Sequence, residues 1–297
     1  MILDRASTFS DPEVIELLKS RCVNVAIDQW YHRRQKDAEG DYYRKIAAQA
    51  RGSDWNSTTQ GLYLGTADGK LLGFTNNRSP ERVKEILKKG LAAFQPAEAA
   101  ALKNEKPDKN FNYAPPEGGL VISVTSKVLE GHEKSSDPSI RMFQESMGRD
   151  TLWVRKDEHA ALARGEFPQT LKARLARFNL YDNTRGEPAP WEPSEVKKLE
   201  ISLKDGVVTG AIHLERADGK CGYTADLRGA VESKDGKVTR LDLVARGTAW
   251  GWSGTTAESA PKGKFTLAIA LRLAPGSDEA DRVAPQGAKS WLPDYLK

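Results

Sequence analysis

Three Asp-Gly pairs interrupt an alternating pattern of apolar and polar residues, at Asp205-Gly206, Asp218-Gly219 and Asp235-Gly236. Asp-Gly readily adopts the positive φ angles of tight hairpin turns, so each pair between alternating runs predicts a β-hairpin. The pattern therefore predicts an antiparallel β-meander from Val196 onward. Its inward-facing positions are Leu199, Ile201, Leu203, Val208, Ile212, Leu214, Tyr223, Ala225, Leu227, Val231, Leu241, Leu243, Ala245, Phe265, Leu267, Ile269, Leu271 and Leu273.

Earlier residues add to this sheet. The apolar runs at 121–124 and 152–154 predict two further strands, and 157–164 and 167–178 predict short helices. A sheet of this length with one apolar face must curl over something or close into a barrel. The helices would then cover an open face of the sheet or plug one end.

The opposite face of the predicted sheet is polar and charged. Its side chains form cross-strand ion pairs if that face meets solvent, and they line a polar cavity if the sheet closes the other way. The residues concerned are His213, Glu215, Asp226, Arg228, Arg240, Asp242, Arg246 and Arg272.

The N-terminal third has a different pattern. Asp11 and Pro12 begin a helix as N-cap and first helical residue, and Val23–Ile27 then predicts a strand. Residues 30–49 predict a mostly helical polar stretch. The pair Asp68-Gly69 predicts a hairpin, and a final helix begins at Pro80.

In this order and spacing, residues 8–92 resemble the part of a thioredoxin-like domain that follows its redox site. The family's first strand and its Cys-x-x-Cys turn have no counterpart before this helix, and Thr58-Thr59-Gln60 stands where the family usually carries a cis-proline. Disulfide exchange needs a thiolate and a resolving thiol, so the resemblance implies a scaffold without redox activity.

Together these patterns predict an α+β protein. A truncated thioredoxin-like α/β domain would cover residues 1–94, and a proline-rich linker would cover 95–118. An antiparallel β-meander domain with short helices would cover 119–297, its sheet barrel-like or strongly curved.

Charge and hydropathy exclude two classes of partner. The net charge is +4, with 45 basic and 41 acidic residues intermixed, so the sequence predicts no nucleic-acid footprint. No run reaches the roughly 18 apolar residues of a membrane helix, so it predicts no membrane span. The first residues lack a signal peptide, which leaves a cytoplasmic protein or a mature exported form.

The sequence predicts no metal site and no cofactor. The four histidines have no metal-binding spacing, and two cysteines cannot form a zinc site by themselves. Cys22 is interpreted as a small buried hydrophobe, with a nucleophilic thiol as the alternative. Whether Cys22 pairs with Cys221 is open.

Two loops combine arginine, aspartate and tryptophan, residues 146–153 and 179–191, and they are the candidate ligand site. Arginine can clamp a carboxylate or phosphate, and tryptophan offers flat contact area. The alternative is that the aspartates cap turns and pair with the arginines. The candidate residues are Arg149, Asp150, Trp153, Asp182, Asn183, Arg185 and Trp191.

Three hypotheses about function follow. The first is a non-catalytic protein whose β domain binds a small-molecule or peptide ligand. The second is an enzyme of unrecognised type, with its site at an inter-domain cleft or at the two loops, and the third is thiol chemistry at Cys22 or Cys221. The absent first strand also predicts homodimerisation through an open sheet edge.

Overall fold

The computed structural model describes residues 8–96, 106, 108, 113–184, 188–251, 261–276, 279–288 and 292–297. Helices account for 31% of the protein and strands for 33%, so the prediction of mixed helix and sheet is confirmed. The described residues up to Tyr113 form one compact unit, and those from Ala114 onward form a second.

The described residues of the N-terminal unit form a two-stranded antiparallel sheet, four α-helices and a short 3-10 helix at Thr8–Ser10. Asp11 caps the first helix as predicted, because its carboxylate accepts hydrogen bonds of 3.0 Å from the Glu13 and Val14 amides. In chain order the elements are α1 (Pro12–Arg21), α2 (Gln29–His32), α3 (Ala38–Arg51), β1 (Leu62–Gly65), β2 (Leu71–Thr75) and α4 (Pro80–Ala92).

The two strands lie between helices on both faces. Leu62 and Leu64 pack against the buried Val14 of α1 and against α4. On the opposite face, the ring of Tyr63 lies 6.1 Å from that of Tyr43 on α3. The predicted hairpin at Asp68-Gly69 and the predicted helix from Pro80 are both confirmed.

Two predictions for this unit were wrong. Val23–Ile27 is not a strand: four of its five residues are exposed, and the segment pairs with no strand in the described part of the chain. Residues 30–49 are not one mostly helical stretch either, because α2 ends at His32 and α3 begins at Ala38. The break follows from Asp37, whose carboxylate accepts the Gly40 amide at 3.0 Å and so starts a new helix.

The described residues of the C-terminal unit form one antiparallel sheet of seven strands. The strands are β3 (Leu120–Glu130), β4 (Met147–Val154), β5 (Val196–Lys204), β6 (Val207–Glu215), β7 (Gly222–Lys234), β8 (Lys237–Trp250) and β9 (Lys264–Leu273). Their order in the sheet is β4-β3-β9-β8-β7-β6-β5, which confirms the predicted meander from Val196 and the two earlier strands. The helices are α5 (Pro138–Glu145), α6 (Lys156–Ala163), α7 (Gln169–Asn179) and α8 (Leu292–Tyr295).

Two of the Asp-Gly pairs form the tight turns that the sequence predicts. Asp205 and Asp235 have φ angles of 51° and 52°, and the glycines after them are also at positive φ. Each pair joins its two strands directly, since Lys204 is aligned with Val207 and Lys234 with Lys237. The Asp218-Gly219 pair instead lies inside a longer loop.

The sheet is open. Its edge strands β4 and β5 do not pair with each other among the described residues, so the barrel-like alternative is wrong as a closed barrel. Helix α7 contacts both edge strands.

A buried ion pair joins α6 and α7 to the last residues. Arg174 Nη1 donates to Glu158 Oε2 at 2.6 Å, and both side chains are almost completely buried. The same guanidinium donates to the carbonyls of Tyr295 at 2.7 Å and Leu296 at 3.0 Å. This network anchors the C-terminal segment to the helices.

Candidate functional site

The residues predicted to bind a ligand are placed mostly in structural roles. The Asp150 carboxylate accepts the Thr151 and Gln286 amides, each at 2.8 Å, and the Asn179 side-chain amide at 3.3 Å. It therefore holds α7 and the segment after β9 against β4. Arg149, one residue earlier, points to the opposite face of the sheet and is exposed.

The two predicted tryptophans belong to the core. Trp153 is completely buried and Trp191 nearly so. The Trp191 indole N–H donates to the Leu180 carbonyl at 2.9 Å, and the Arg216 guanidinium lies 4.5 Å from the ring centre. These rings stabilise the unit and offer no surface to a ligand.

Asp182 and Asn183 organise the loop after α7. Asp182 Oδ1 accepts the Thr184 amide at 3.0 Å and the Thr184 hydroxyl at 2.6 Å. Asn183 is buried and accepts a hydrogen bond from the Ser126 hydroxyl of β3. Arg185 lies outside the described residues. The structure thus gathers Asp182, Asn183 and Trp191 around one loop, and places Arg149 elsewhere.

The outward face of the sheet carries the arginines that remain available. Cross-strand partners in an antiparallel sheet share a face. The register aligns Arg149 with Thr125, Thr125 with Ala270, Ala270 with Val244, and Val244 with Arg228. Arg149 and Arg228 therefore lie on one row that crosses five strands.

Arg272 completes an arginine triangle, defined as Arg149, Arg228 and Arg272. It lies two residues from Ala270 on β9 and thus shares the face of Arg149 and Arg228. From ordinary strand spacing and rise, its Cα is about 12 Å from those of the other two arginines, which are about 19 Å apart. All three side chains are exposed.

The arginine triangle differs from the other arginines of this face in its pairing. Arg240 contacts Glu232 at 2.7 Å and Asp242 at 2.6 Å, and Arg246 contacts Glu130 at 2.9 Å. Within the described ranges, no carboxylate forms an ion pair or hydrogen bond with a member of the triangle. Three guanidinium groups are thus free to bind an anion.

The floor between the three arginines consists of small side chains. Ala270 and Val244 are exposed at its centre, and Thr125 is half-buried beside them. Small residues leave the backbone of the sheet accessible, so an extended ligand can lie across the strands. Asp226 is the acidic residue nearest to Arg228 along its strand, and it lies cross-strand from Arg246.

From the sequence alone, Arg228 and Arg272 group with the predicted ion pairs of the outer face. The cross-strand register distinguishes them from those pairs. Arg272 stands opposite Asp242, but that carboxylate is held by Arg240. Arg228 stands between Thr209 and Val244, neither of which carries charge.

Neither thiol is activated. Burial raises the pKa of Cys22, and burial raises that of Cys221 to about 11. Both cysteines are free. At neutral pH each is therefore a protonated thiol and a poor nucleophile.

The basic segment Trp30–Arg34 is occupied by internal contacts. The Arg34 guanidinium lies 4.4 Å from the centre of the Trp30 ring and donates to the Trp30 carbonyl at 2.9 Å. Arg33 is buried and donates to the Ser57 carbonyl. These contacts hold α2 and the residues after it within the N-terminal unit.

The described residues contain no group of three or more His, Cys, Asp or Glu side chains able to hold a metal ion. No helix in the described part of the chain is long and apolar enough to cross a membrane.

Comparison with known proteins gives no family assignment. No protein-family model, no curated protein and no solved structure matches this chain.

Proposed function

We propose that the C-terminal unit binds an acidic peptide in an extended conformation across the outer face of its sheet. The observation that carries this proposal is the arginine triangle, whose guanidinium groups have no carboxylate partner in the described structure. Arginine donates two parallel hydrogen bonds to a carboxylate, which makes carboxylate side chains its natural ligands. Acidic residues four positions apart in an extended peptide match the spacing of about 12 Å.

The affinity comes from several exposed pairs. A single solvent-exposed ion pair contributes up to about 1 kcal/mol. Three of them therefore strengthen binding by about tenfold to a hundredfold, and the effect decreases with added salt.

The experiment titrates the full chain into a fluorescent peptide of alternating Glu and Ser and follows anisotropy at low salt. The test variant is Arg149→Gln/Arg228→Gln/Arg272→Gln, which we expect to bind at least tenfold more weakly. The matched control is Lys198→Gln/Arg240→Gln/Arg246→Gln. It removes the same charge from cations already paired with carboxylates.

The two triple variants separate site binding from general attraction. The proposal requires the control to keep most of the wild-type affinity. Equal weakening of both variants would show that only net charge matters, and no binding by the wild type would end the proposal. If a single-stranded DNA of equal charge binds more tightly than the peptide, the ligand class is nucleic acid and not acidic peptide.

We propose further that the N-terminal unit is a thioredoxin-like scaffold without redox activity. The β1–β2 hairpin followed by α4 and the helices on both faces of these two strands support this proposal. So does the raised pKa of Cys22. The test is reduction of insulin by dithiothreitol. We expect the rate of insulin reduction to be the same with the wild type, with the Cys22→Ser/Cys221→Ser variant and without protein. A faster reaction with the wild type alone would refute the proposal.

A further inference from the structure

The segment Val23–Ile27 is neither helix nor strand, and it is apolar apart from Asn24 and exposed apart from the half-buried Ile27. Val23 is 94% exposed and Val25 75%. The main-chain groups of these five residues form no hydrogen bond with the described backbone. β-branched residues with unpaired amides and carbonyls are the features of a strand edge that can recruit another strand.

Both ends of the segment are held in place. Cys22 packs against the core between α1 and α4, and its amide donates to the Leu18 carbonyl at 3.2 Å. At the other end, the Asp28 carboxylate accepts the Trp30 amide at 2.8 Å and caps α2. The backbone is extended at both Cys22 and Asp28. Because the residues on both sides of the segment are extended and anchored, the segment loses less conformational freedom on pairing than a free chain end would.

We propose that Val23–Ile27 pairs with the same segment of a second copy, in an antiparallel two-stranded ladder with Val25 at the two-fold axis. Isologous pairing around a two-fold axis is the commonest way in which a chain meets its own copy. In an antiparallel ladder, the side chains of aligned residues lie on the same face. A two-fold axis perpendicular to the ladder therefore passes between two copies of one residue that are aligned with each other. With Val25 on the axis, Val23 is aligned with Ile27 of the second copy.

This register is the one that the side chains favour. It places Val23, Val25 and Ile27 of both copies on one face, which gives a continuous apolar patch. Charge selects the antiparallel orientation, because Arg21 and Asp28 flank the segment at opposite ends. Antiparallel pairing brings the basic end of one copy to the acidic end of the other, whereas parallel pairing brings like charges together.

The first experiment measures mass by sedimentation equilibrium up to about 200 µM, because a ladder this short is a small interface that associates weakly. We expect the wild type to form a dimer and Val25→Lys to be monomeric, with the dissociation constant raised at least tenfold. The matched control is Val207→Lys, which changes a 55% exposed valine of the C-terminal unit and leaves the dimer intact. A wild type that is monomeric at every concentration overturns the proposal.

The second experiment tests the register by oxidation of single cysteines in a Cys22→Ala/Cys221→Ala background. Val25→Cys places two thiols directly opposite each other, while the thiols of Val23→Cys are about 13 Å apart in the same ladder. We expect the first variant to form a disulfide-linked dimer at least tenfold faster. Equal rates overturn the proposal, since they indicate either parallel pairing or random collision of two exposed positions.

Discussion

Replacing Arg174 by methionine tests whether the buried ion pair holds the C-terminal unit together. Removing one partner of such a pair leaves the other charge buried and uncompensated, which costs about 3–5 kcal/mol. Methionine keeps the apolar stem of the side chain but removes the donors to Glu158, Tyr295 and Leu296. We therefore expect the free energy of unfolding to fall by about 3–5 kcal/mol and Tm to fall by about 10 °C.

The assay is urea denaturation followed by tryptophan fluorescence, with hydrogen exchange of residues 292–297 as a local readout. Arg164→Met is the control: its pair with Glu166 is at 3.6 Å and exposed, so the cost is below about 1 kcal/mol. The double variant Arg174→Met/Glu158→Gln should lose less than the sum of the single losses, because no charge is then stranded. A loss below 1 kcal/mol for Arg174→Met, with unchanged exchange at the C-terminus, would refute the reasoning.

Three further predictions concern single residues. Burial raises the pKa of Glu158, but hydrogen bonds from Arg174, Thr170 and the Arg155 amide hold that pKa below its ordinary value. The wild type should therefore be more stable than Glu158→Gln above about pH 5, and this difference in the free energy of unfolding should disappear as the pH falls through the lowered pKa. Urea denaturation at each pH measures it. Gly148→Ala should cost about 1–3 kcal/mol in the same assay, because the added Cβ would overlap Asn183 Oδ1. Alkylation of Cys221 at pH 8 should be about 10- to 100-fold slower in the folded protein than in urea, because its pKa is raised to about 11; equal rates by mass spectrometry would contradict this.

The sheet could be predicted from local rules because its strands obey them. Asp205-Gly206 and Asp235-Gly236 adopt the conformation that their residue types favour, and the alternation between the turns fixes which side chains face the core. The cap at Asp11 is equally local. The contact of α7 with both edge strands is not local, and no residue pattern within a strand encodes it.

The candidate site was harder to predict than the fold. Trp153 and Trp191 lie in loops or strand ends rich in charge, which favours an interpretation as exposed binding residues, but long-range packing buries both. Val23–Ile27 has the composition of a strand, yet a strand also needs a neighbour, and composition contains no information about neighbours. Arg228 and Arg272 became distinct from the paired arginines only when the register was known.

The pairing of β3 with β9 has a consequence for how the C-terminal unit folds. These are the first and last strands of the unit, so one side of β3 has no partner until the end of the meander has been made. Contacts between residues so distant in sequence form slowly, and an unpaired edge exposed during that interval favours aggregation. During synthesis, β3 and β4 emerge early, and one side of β3 stays unpaired until Lys264–Leu273, the last strand among the described residues, has been made.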